Sequence, residues 1–407
     1  MEAPDTVAYN SVLNVFAKLS PVPFEGLSRF SAALQAQQLL QEMEQIYTEQ
    51  KLAKQKWYDA LTENSLDDEA LCQGPPAVLV KPNSRSYCTV IDAYARIGNQ
   101  VAAEKTEQLL HELQQMYEST GDEALRPNLI AYNIVLAAWS KVGGPEAANR
   151  CLKLLKEGMP MAPDTISYNS VLHAIALSSE PQAGRRAEEL LREMIEKSNY
   201  TLVNGRSYTT CMDAWSKTGR PDKAMSLLCE MKTNYKRTND SSFQPNCVSY
   251  ATVIHGYGLS RDADKVQKAY RVFREMIDDG VSPNRITYIN LLNCCAASDM
   301  NLEAIQLVKQ LYREALDNNK ADHRTFGTVL KACMHHCWED KDFAVAVFRD
   351  ACKRGFVSQG VFWQFKQAVP SEIFRNVLGG VDVAHSDLPT EWTRNSGGNL
   401  KTTEEDQ

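Results

Sequence analysis

The sequence has no long apolar run, no excess of positive charge and no short, even cysteine framework. No apolar stretch reaches the length of about 18 residues that a bilayer requires, which excludes a membrane span. A formal net charge of −7 over 407 residues argues mildly against a protein that grips nucleic acid by bulk positive charge. The 11 cysteines lie mostly at helical apolar positions among leucines, which indicates reduced core residues.

Motifs for catalysis are also missing from the sequence. There is no glycine-rich phosphate loop, no His-x-Glu followed by Pro-Cys-x-x-Cys, and no aspartate cluster near the end of the chain that resembles a metal-dependent nuclease. Cys333, His335, His336 and Cys337 lie close together, but structural zinc needs four ligands, usually from two separated pairs. We therefore expect no enzyme activity, no cofactor and no metal site.

One pattern returns along the chain. Residues 127–140, PNLIAYNIVLAAWS, reappear 36 residues later as PDTISYNSVLHAIA at residues 163–176. Tyr132, Val135, Leu136 and Trp139 have the spacing of one continuous face on an α-helix. Further copies have an aromatic anchor, and the full set of anchors is Tyr9, Tyr87, Tyr132, Tyr168, Tyr208, Tyr250, Tyr288, Phe326 and, weakly, Phe362.

A second apolar face follows the anchor helix, as in Ala187, Leu190, Leu191 and Met194. Short polar turns such as residues 141–144 join the two helices, and turns this short force an antiparallel hairpin. A lone hairpin cannot cover both of its faces, so neighbouring units must stack. The sequence predicts an all-α fold, an α-solenoid of eight or nine stacked antiparallel helix hairpins.

The array is expected to span residues 1–368, with long polar insertions between repeats. We predict a C-terminal capping segment at 369–390, with a short helix over 371–378, and a disordered tail at 391–407. The chain opens inside a repeat, so we expect a truncated N-terminus. The lack of a visible targeting peptide therefore says little about the compartment.

These residues resemble the pentatricopeptide repeat family, in its pure-repeat type without a catalytic appendage. The matching features are TISYN at residues 165–169, AYRVFREM at 269–276 and the closing Pro-Asn or Pro-Asp. The related tetratricopeptide repeats have a different signature, led by Trp and Leu-Gly. The resemblance implies a right-handed superhelix that binds single-stranded RNA with one base per repeat, in a mitochondrion or plastid.

The resemblance also implies which side chains read the bases: the residue after the anchor, paired with the last residue of the unit. The pairs are Asn10 with Asn83, Cys88 with Asn128, Asn133 with Asp164, Asn169 with Asn204, and Thr209 with Asn246. By the family's preferences, the third pair implies uracil, the fourth a pyrimidine and the fifth adenine. The later pairs, Ala251 with Asn284, Ile289 with Asp322 and Gly327 with Ser358, lack a polar first member, so no base preference follows.

A third implied position, two residues before each anchor, wedges between successive bases. It holds Val7, Arg85, Ile130, Ile166, Arg206, Val248, Ile286 and Arg324. Stacking on such residues contributes about 1–3 kcal/mol per base, and arginine also meets phosphate. Plainer interpretations stay open at this point: Asn133, Asn169 and Thr209 as ordinary first-turn helix residues, and the valines and isoleucines as core residues.

The favoured hypothesis is a non-catalytic, sequence-selective single-stranded RNA-binding protein that acts in organellar RNA processing, stability, splicing or translation. One alternative is a protein-interaction scaffold with no RNA ligand, and another is the RNA-targeting part of a ribonuclease whose catalytic domain is missing. We expect a monomer whose partners are single-stranded RNA and proteins that contact the insertions, with no membrane and no DNA among them.

Overall fold

The computed structural model describes residues 4–19, 29–63, 74–298, 302–336, 341–379 and 383–396. Within these ranges the regular structure is helical and no strand occurs. The chain divides into two compact units, Met1–Glu180 and Pro181–Gln407. Each unit is described by itself.

The first unit alternates first helices, which carry the anchors, with second helices. Its first helices are α1 (Thr6–Leu19), α3 (Ser84–Ala95), α5 (Leu129–Val142) and α7 (Thr165–Ala176). Its second helices are α2 (Arg29–Thr62), α4 (Gln100–Thr120) and α6 (Gly144–Lys153), the last followed by a π-helical turn at Leu154–Gly158. The first helices pack side by side in chain order, and each second helix packs against the first helices before and after it.

The second unit repeats this arrangement. Its first helices are α9 (Gly205–Lys217), α11 (Cys247–Leu259), α13 (Arg285–Ala296), α15 (His323–His336) and α17 (Gln359–Ala368). Its second helices are α8 (Ala183–Ser198), α10 (Pro221–Thr238), α12 (Lys265–Asp278), α14 (Leu302–Asp317) and α16 (Lys341–Arg354), and the short helices α18 (Ser371–Val377) and α19 (Thr390–Thr393) follow. A first helix is present at each of the nine anchors, so the predicted α-solenoid is confirmed.

The closing Asn or Asp of each unit starts the next first helix. The side-chain oxygens of Asn83, Asn128, Asp164, Asn204, Asn246 and Asn284 each accept a backbone N–H from the first turn. These bonds satisfy donors that an α-helix leaves unpaired at its start. The anchors from Tyr87 onward are core residues; Tyr87, Tyr132, Tyr208 and Tyr250, for example, are at most 1% exposed.

The predicted anchor face differs from the structure in α1. Val12 is 46% exposed, whereas the equivalent Val90 in α3 and Val135 in α5 are fully buried. Within the described residues α1 packs against another first helix on one side only, α3, whereas α3 lies between α1 and α5. The face of α1 that includes Val12 therefore remains in solvent.

The predicted tail also differs from the structure at residues 391–396. The Val357 N–H donates to the Trp392 carbonyl at 2.9 Å, and the Asn395 N–H donates to the Gly355 carbonyl at 2.8 Å. The Trp392 ring also packs edge-on against Phe348 in α16. A large aromatic side chain with a core partner orders this segment. The remainder of the predicted tail, 397–407, lies outside the described residues.

The anchor hydroxyls point toward the second helices, and one of them lacks a partner. Tyr208 donates to Glu230 Oε1 at 2.8 Å and accepts from Asn234 Nδ2 at 3.0 Å. The Tyr132 hydroxyl is buried with no hydrogen-bond partner. Glu230 lies 22 residues after its anchor, and the residue at the same distance after Tyr132 is Leu154 in the π-helical turn, whose side chain cannot accept a hydrogen bond.

We therefore expect Tyr132→Phe to leave the free energy of unfolding unchanged or to raise it by about 1 kcal/mol, because it removes an unsatisfied polar group. Tyr208→Phe is the matched variant. It should lower the free energy of unfolding by about 1–3 kcal/mol, because it removes the hydroxyl that accepts a hydrogen bond from the buried Asn234 amide. Urea unfolding of both variants checks the contrast. Equal losses in the two variants would show that Tyr132 has an acceptor after all.

Candidate nucleic-acid interface

The predicted wedge residues share one position and one environment. Each is the second residue of a first helix, from Val7 in α1 to Arg324 in α15, and all eight are exposed. The five aliphatic members are the informative ones: Val7 is 69% exposed, Ile130 62%, Ile166 60%, Val248 54% and Ile286 57%. The interpretation of these side chains as core residues is therefore wrong. Because neighbouring first helices pack side by side, the wedges form a row along each unit.

Asn133 and Asp164, one of the predicted reading pairs, contact each other directly. Asn133 Nδ2 lies 3.2 Å and 3.3 Å from the two carboxylate oxygens of Asp164. Burial raises the pKa of Asp164, but hydrogen bonds from Ser167 and Asn133 outweigh it and hold that pKa below its ordinary value. The pair therefore presents an amide beside a carboxylate that is ionised at neutral pH.

Three other pairs are also brought together within a unit. Ser86 joins Asn10 to Asn83, since its hydroxyl donates to Asn10 Oδ1 at 2.7 Å and its N–H to Asn83 Oδ1 at 3.1 Å. Cys88 Sγ lies 3.8 Å from Asn128 Oδ1. In the second unit, Thr209 and Asn246 are linked in the same way through a serine. The link from Asn10 to Asn83 through Ser86 shows that the long first insertion does not separate that pair.

The remaining predicted pair, Asn169 with Asn204, is divided between the two units. Asn169 lies in α7 and is 7% exposed, and Asn204 caps α9. Among the later positions, Asp322 is 6% exposed. Its carboxylate accepts the backbone N–H groups of Arg324 and Thr325 and therefore caps the start of α15. That all these positions read bases stays a prediction.

Two residues per reading site were predicted from the sequence. The serine that lies between them in the structure was not predicted. Ser167 and Ser249 lie directly before their anchors and are fully buried, as is Ser86. Ser249 Oγ lies 3.4 Å from Thr209 Oγ1, and the Ser249 N–H donates to Asn246 Oδ1 at 3.1 Å. The available signal was the Ser-Tyr dipeptide itself, which recurs along the chain.

The cysteine and histidine cluster around Cys333 lies only partly within the described residues. Cys333 is fully buried in α15, whereas Cys337, with which it was considered as a metal ligand, lies outside the described residues. No group of three or more His, Cys, Asp or Glu side chains in the described ranges is placed to share a metal ion. None of the helices described here is both long and apolar enough to cross a bilayer.

Models of known families match the chain in three places. A pentatricopeptide repeat domain model matches residues 116–177, a PPR repeat model 206–235 and a PPR repeat family model 245–297. These three segments of the chain contain pentatricopeptide repeats.

Similar pentatricopeptide repeat proteins occur in Arabidopsis thaliana. A chloroplastic member is 30% identical over 155 residues, which is 36% of this chain and 28% of that protein. A mitochondrial member is 32% identical over 106 residues, 26% of this chain and 13% of that protein. The matched segments thus span less than a third of either relative.

Among solved structures, that of the pentatricopeptide repeat protein PPR10 from maize matches 93% of this chain and 48% of its own, at 19% identity and a TM-score of 0.47. A structure of PPR10 in complex with an 18-nt psaJ RNA element matches 90% of this chain and 46% of its own, at 18% identity and a TM-score of 0.35.

Proposed function

We propose that this pentatricopeptide repeat chain is a sequence-selective single-stranded RNA-binding protein, without catalytic activity of its own, that acts in organellar RNA metabolism. The observation that carries the proposal is the row of wedge residues. Five β-branched aliphatic side chains, each more than half exposed, recur at one helix position, and three exposed arginines hold the same position in other repeats. An unstacked base has the flat apolar face that would cover such side chains.

The polar pairs lie one residue past the anchors, while the wedges lie two residues before them. A base held between two wedges would turn its Watson–Crick edge toward the pair. At Asn133 and Asp164 that edge meets an amide donor beside an ionised acceptor, which suits the adjacent O4 acceptor and N3–H donor of uracil. With a net charge of −7, affinity would come from stacking and from local contacts of Arg85, Arg206 and Arg324 with phosphate.

The chloroplastic and mitochondrial relatives support an organellar site of action. A non-catalytic binder of this kind acts by covering one stretch of a transcript, which blocks nucleases or prevents that stretch from pairing elsewhere. Either effect changes the processing, stability, splicing or translation of the RNA. We propose that one chain does this as a monomer, because each reading pair is complete within a single chain.

Selection from a randomised pool of single-stranded RNA tests the proposal. The expected enriched sequence contains pyrimidine–pyrimidine–adenine at the bases that face the repeats of Tyr132, Tyr168 and Tyr208, with uracil at the first. Little enrichment is expected for the repeats from Tyr250 onward, where Ala251 and Ile289 take the reading position. A pool that shows no enrichment after several rounds would contradict sequence-selective binding.

A protein-interaction scaffold is the second candidate, and one observation favours it for the later repeats. Their reading positions hold Ala251, Ile289 and Gly327, and Trp363 in α17 is 53% exposed. This surface suits an apolar peptide better than a base edge. Enrichment confined to the bases at the three central repeats would support a protein-binding role for the later repeats. Enrichment across all repeats would contradict that role.

A further inference from the structure

The reading amide of Asn133 has a second neighbour besides Asp164. Ser167, fully buried in the first turn of α7, donates its hydroxyl to Asn133 Oδ1 at 2.6 Å. The Ser167 backbone N–H is bonded to Asp164 Oδ1 at 2.8 Å, and the Asp164 N–H lies 3.3 Å from Ser167 Oγ. The reciprocal cap thus fixes the serine, and the serine fixes the amide.

The two neighbours favour the same orientation of the Asn133 amide. With Oδ1 toward the Ser167 hydroxyl, Nδ2 faces the ionised carboxylate of Asp164. A flipped amide would set Oδ1 against that carboxylate and leave the hydroxyl opposite an N–H group. A hydroxyl has one proton to donate, and here its shortest contact is with Asn133 Oδ1 rather than with Asp164 Oδ1 at 2.9 Å.

The serine and the reading residue vary together along the chain. The residue before an anchor is serine wherever the reading residue of the preceding repeat is Asn or Thr, and it is another residue wherever that position is Cys, Ala, Ile or Gly. The first group is Asn10 with Ser86, Asn133 with Ser167, Asn169 with Ser207, and Thr209 with Ser249; the second is Cys88 with Ala131, Ala251 with Thr287, Ile289 with Thr325, and Gly327 with Val361.

Helix capping alone does not account for this division. Thr325 completes the cap of its helix as the serines do, since its Oγ1 accepts the Asp322 N–H at 3.2 Å, and Thr287 Oγ1 donates to the capping Asn284 Oδ1 at 3.0 Å. Asn128 caps α5 although the residue directly before that anchor is Ala131, so this cap needs no hydroxyl. What distinguishes the serine positions is the polar side chain that faces them from the preceding repeat, as Asn10 faces Ser86 and Thr209 faces Ser249.

We propose that Ser86, Ser167 and Ser249, each directly before an anchor, are third members of their base-reading sites, positioning residues that orient the reading side chain of the preceding repeat. This inference rests on the proposed RNA-binding function. It adds to the reading site a residue that is serine where the reading residue of the preceding repeat is Asn or Thr. The serine itself is buried and touches no ligand. It acts by fixing which polar atoms of Asn133 face the base.

The orientation of the amide is tested without RNA by NMR of the Asn133 side-chain NH₂ group, assigned by comparison with Asn133→Ala. We expect the bonds to Asp164 and Ser167 to shift the two proton signals of the wild type away from those of a free asparagine side chain, and Ser167→Ala to move them back toward the free values. Ser167→Thr keeps the hydroxyl and should restore the wild-type shifts. Thr287→Ala, which removes the equivalent hydroxyl in a repeat preceded by Ala251, should leave the Asn133 signals unchanged.

The reading role is tested by comparing affinities for the enriched RNA and for the same RNA with cytosine in place of the uracil at Asn133. Ser167→Ala should reduce this discrimination by about 2- to 10-fold, the effect of one hydrogen bond. Ser167→Thr and Thr287→Ala should retain it. Undiminished discrimination in Ser167→Ala, with wild-type RNA binding intact, overturns the inference alone. If the wild type binds no RNA, the proposed function fails and the reading role fails with it.

Discussion

Replacing Ile130 and Ile166 together with aspartate is expected to weaken binding of the enriched RNA by about 30-fold or more. Both side chains are at least 60% exposed, so the free protein loses little packing. Each base that stacks on such a residue contributes about 1–3 kcal/mol, and two positions are removed. The new carboxylates also repel the phosphate backbone. Fluorescence anisotropy with a labelled RNA measures the loss.

Val101→Asp is the matched control for that variant. Val101 is an aliphatic residue of similar exposure, 55%, but it lies on the second helix α4, away from the wedge position. It should leave RNA affinity within about 2-fold of wild type, since isolated surface charges act weakly in salt. Equal weakening by Val101→Asp would mean that general charge, rather than the wedge row, governs binding. Circular dichroism confirms that both variants keep their helicity.

Gly256 lies where two first helices approach closely. A Cβ at Gly256 in α11 would lie 2.5 Å from Ser216 Oγ and 2.8 Å from Ser216 Cβ in α9. The Ser216 hydroxyl donates to the Thr252 carbonyl at 3.1 Å, so it cannot move aside without breaking that bond. We expect Gly256→Ala to lower the free energy of unfolding by about 1–3 kcal/mol, as for other overpacked cores.

Gly258→Ala, two residues further along α11, is the control for this prediction. The nearest atom to a Cβ there is Cys294 Cα at 3.6 Å, an ordinary van der Waals contact. Because alanine is the better helix former, this substitution should raise the free energy of unfolding by about 0.5–1 kcal/mol. Urea unfolding of the two variants should therefore give shifts of opposite sign. Shifts of the same sign would show that the helices adjust more easily than the distances indicate.

The helices were predictable because the forces that form them are local and repeat along the chain. The Asn, Asp or Ser cap, usually preceded by proline, and the i, i+3, i+4, i+7 spacing identify each first helix without knowledge of its neighbours. The exposure of Val12 was not predictable in the same way. It depends on whether another first helix packs against α1, which the pattern of a single repeat cannot show.

The reading pairs came from the family resemblance, and the structure adds the contacts within them. Spacing alone does not show that Asn10 contacts the cap at Asn83 across the long α2 insertion, because chain separation carries no information about stacking. The serines were missed for a related reason. In one repeat Ser167 looks like an ordinary capping residue, and only its contact with Asn133 from the preceding repeat shows a second role.

Titration of the folded chain with single-stranded RNA at low and at physiological salt tests the central claim most directly. The account predicts a one-to-one complex with the enriched RNA whose affinity falls as salt rises, because arginines in the wedge row contact phosphate. A base-paired duplex of the same sequence should bind far more weakly, since its bases are not free to stack on the wedges. A folded sample that forms no complex with single-stranded RNA even at low salt would contradict the account.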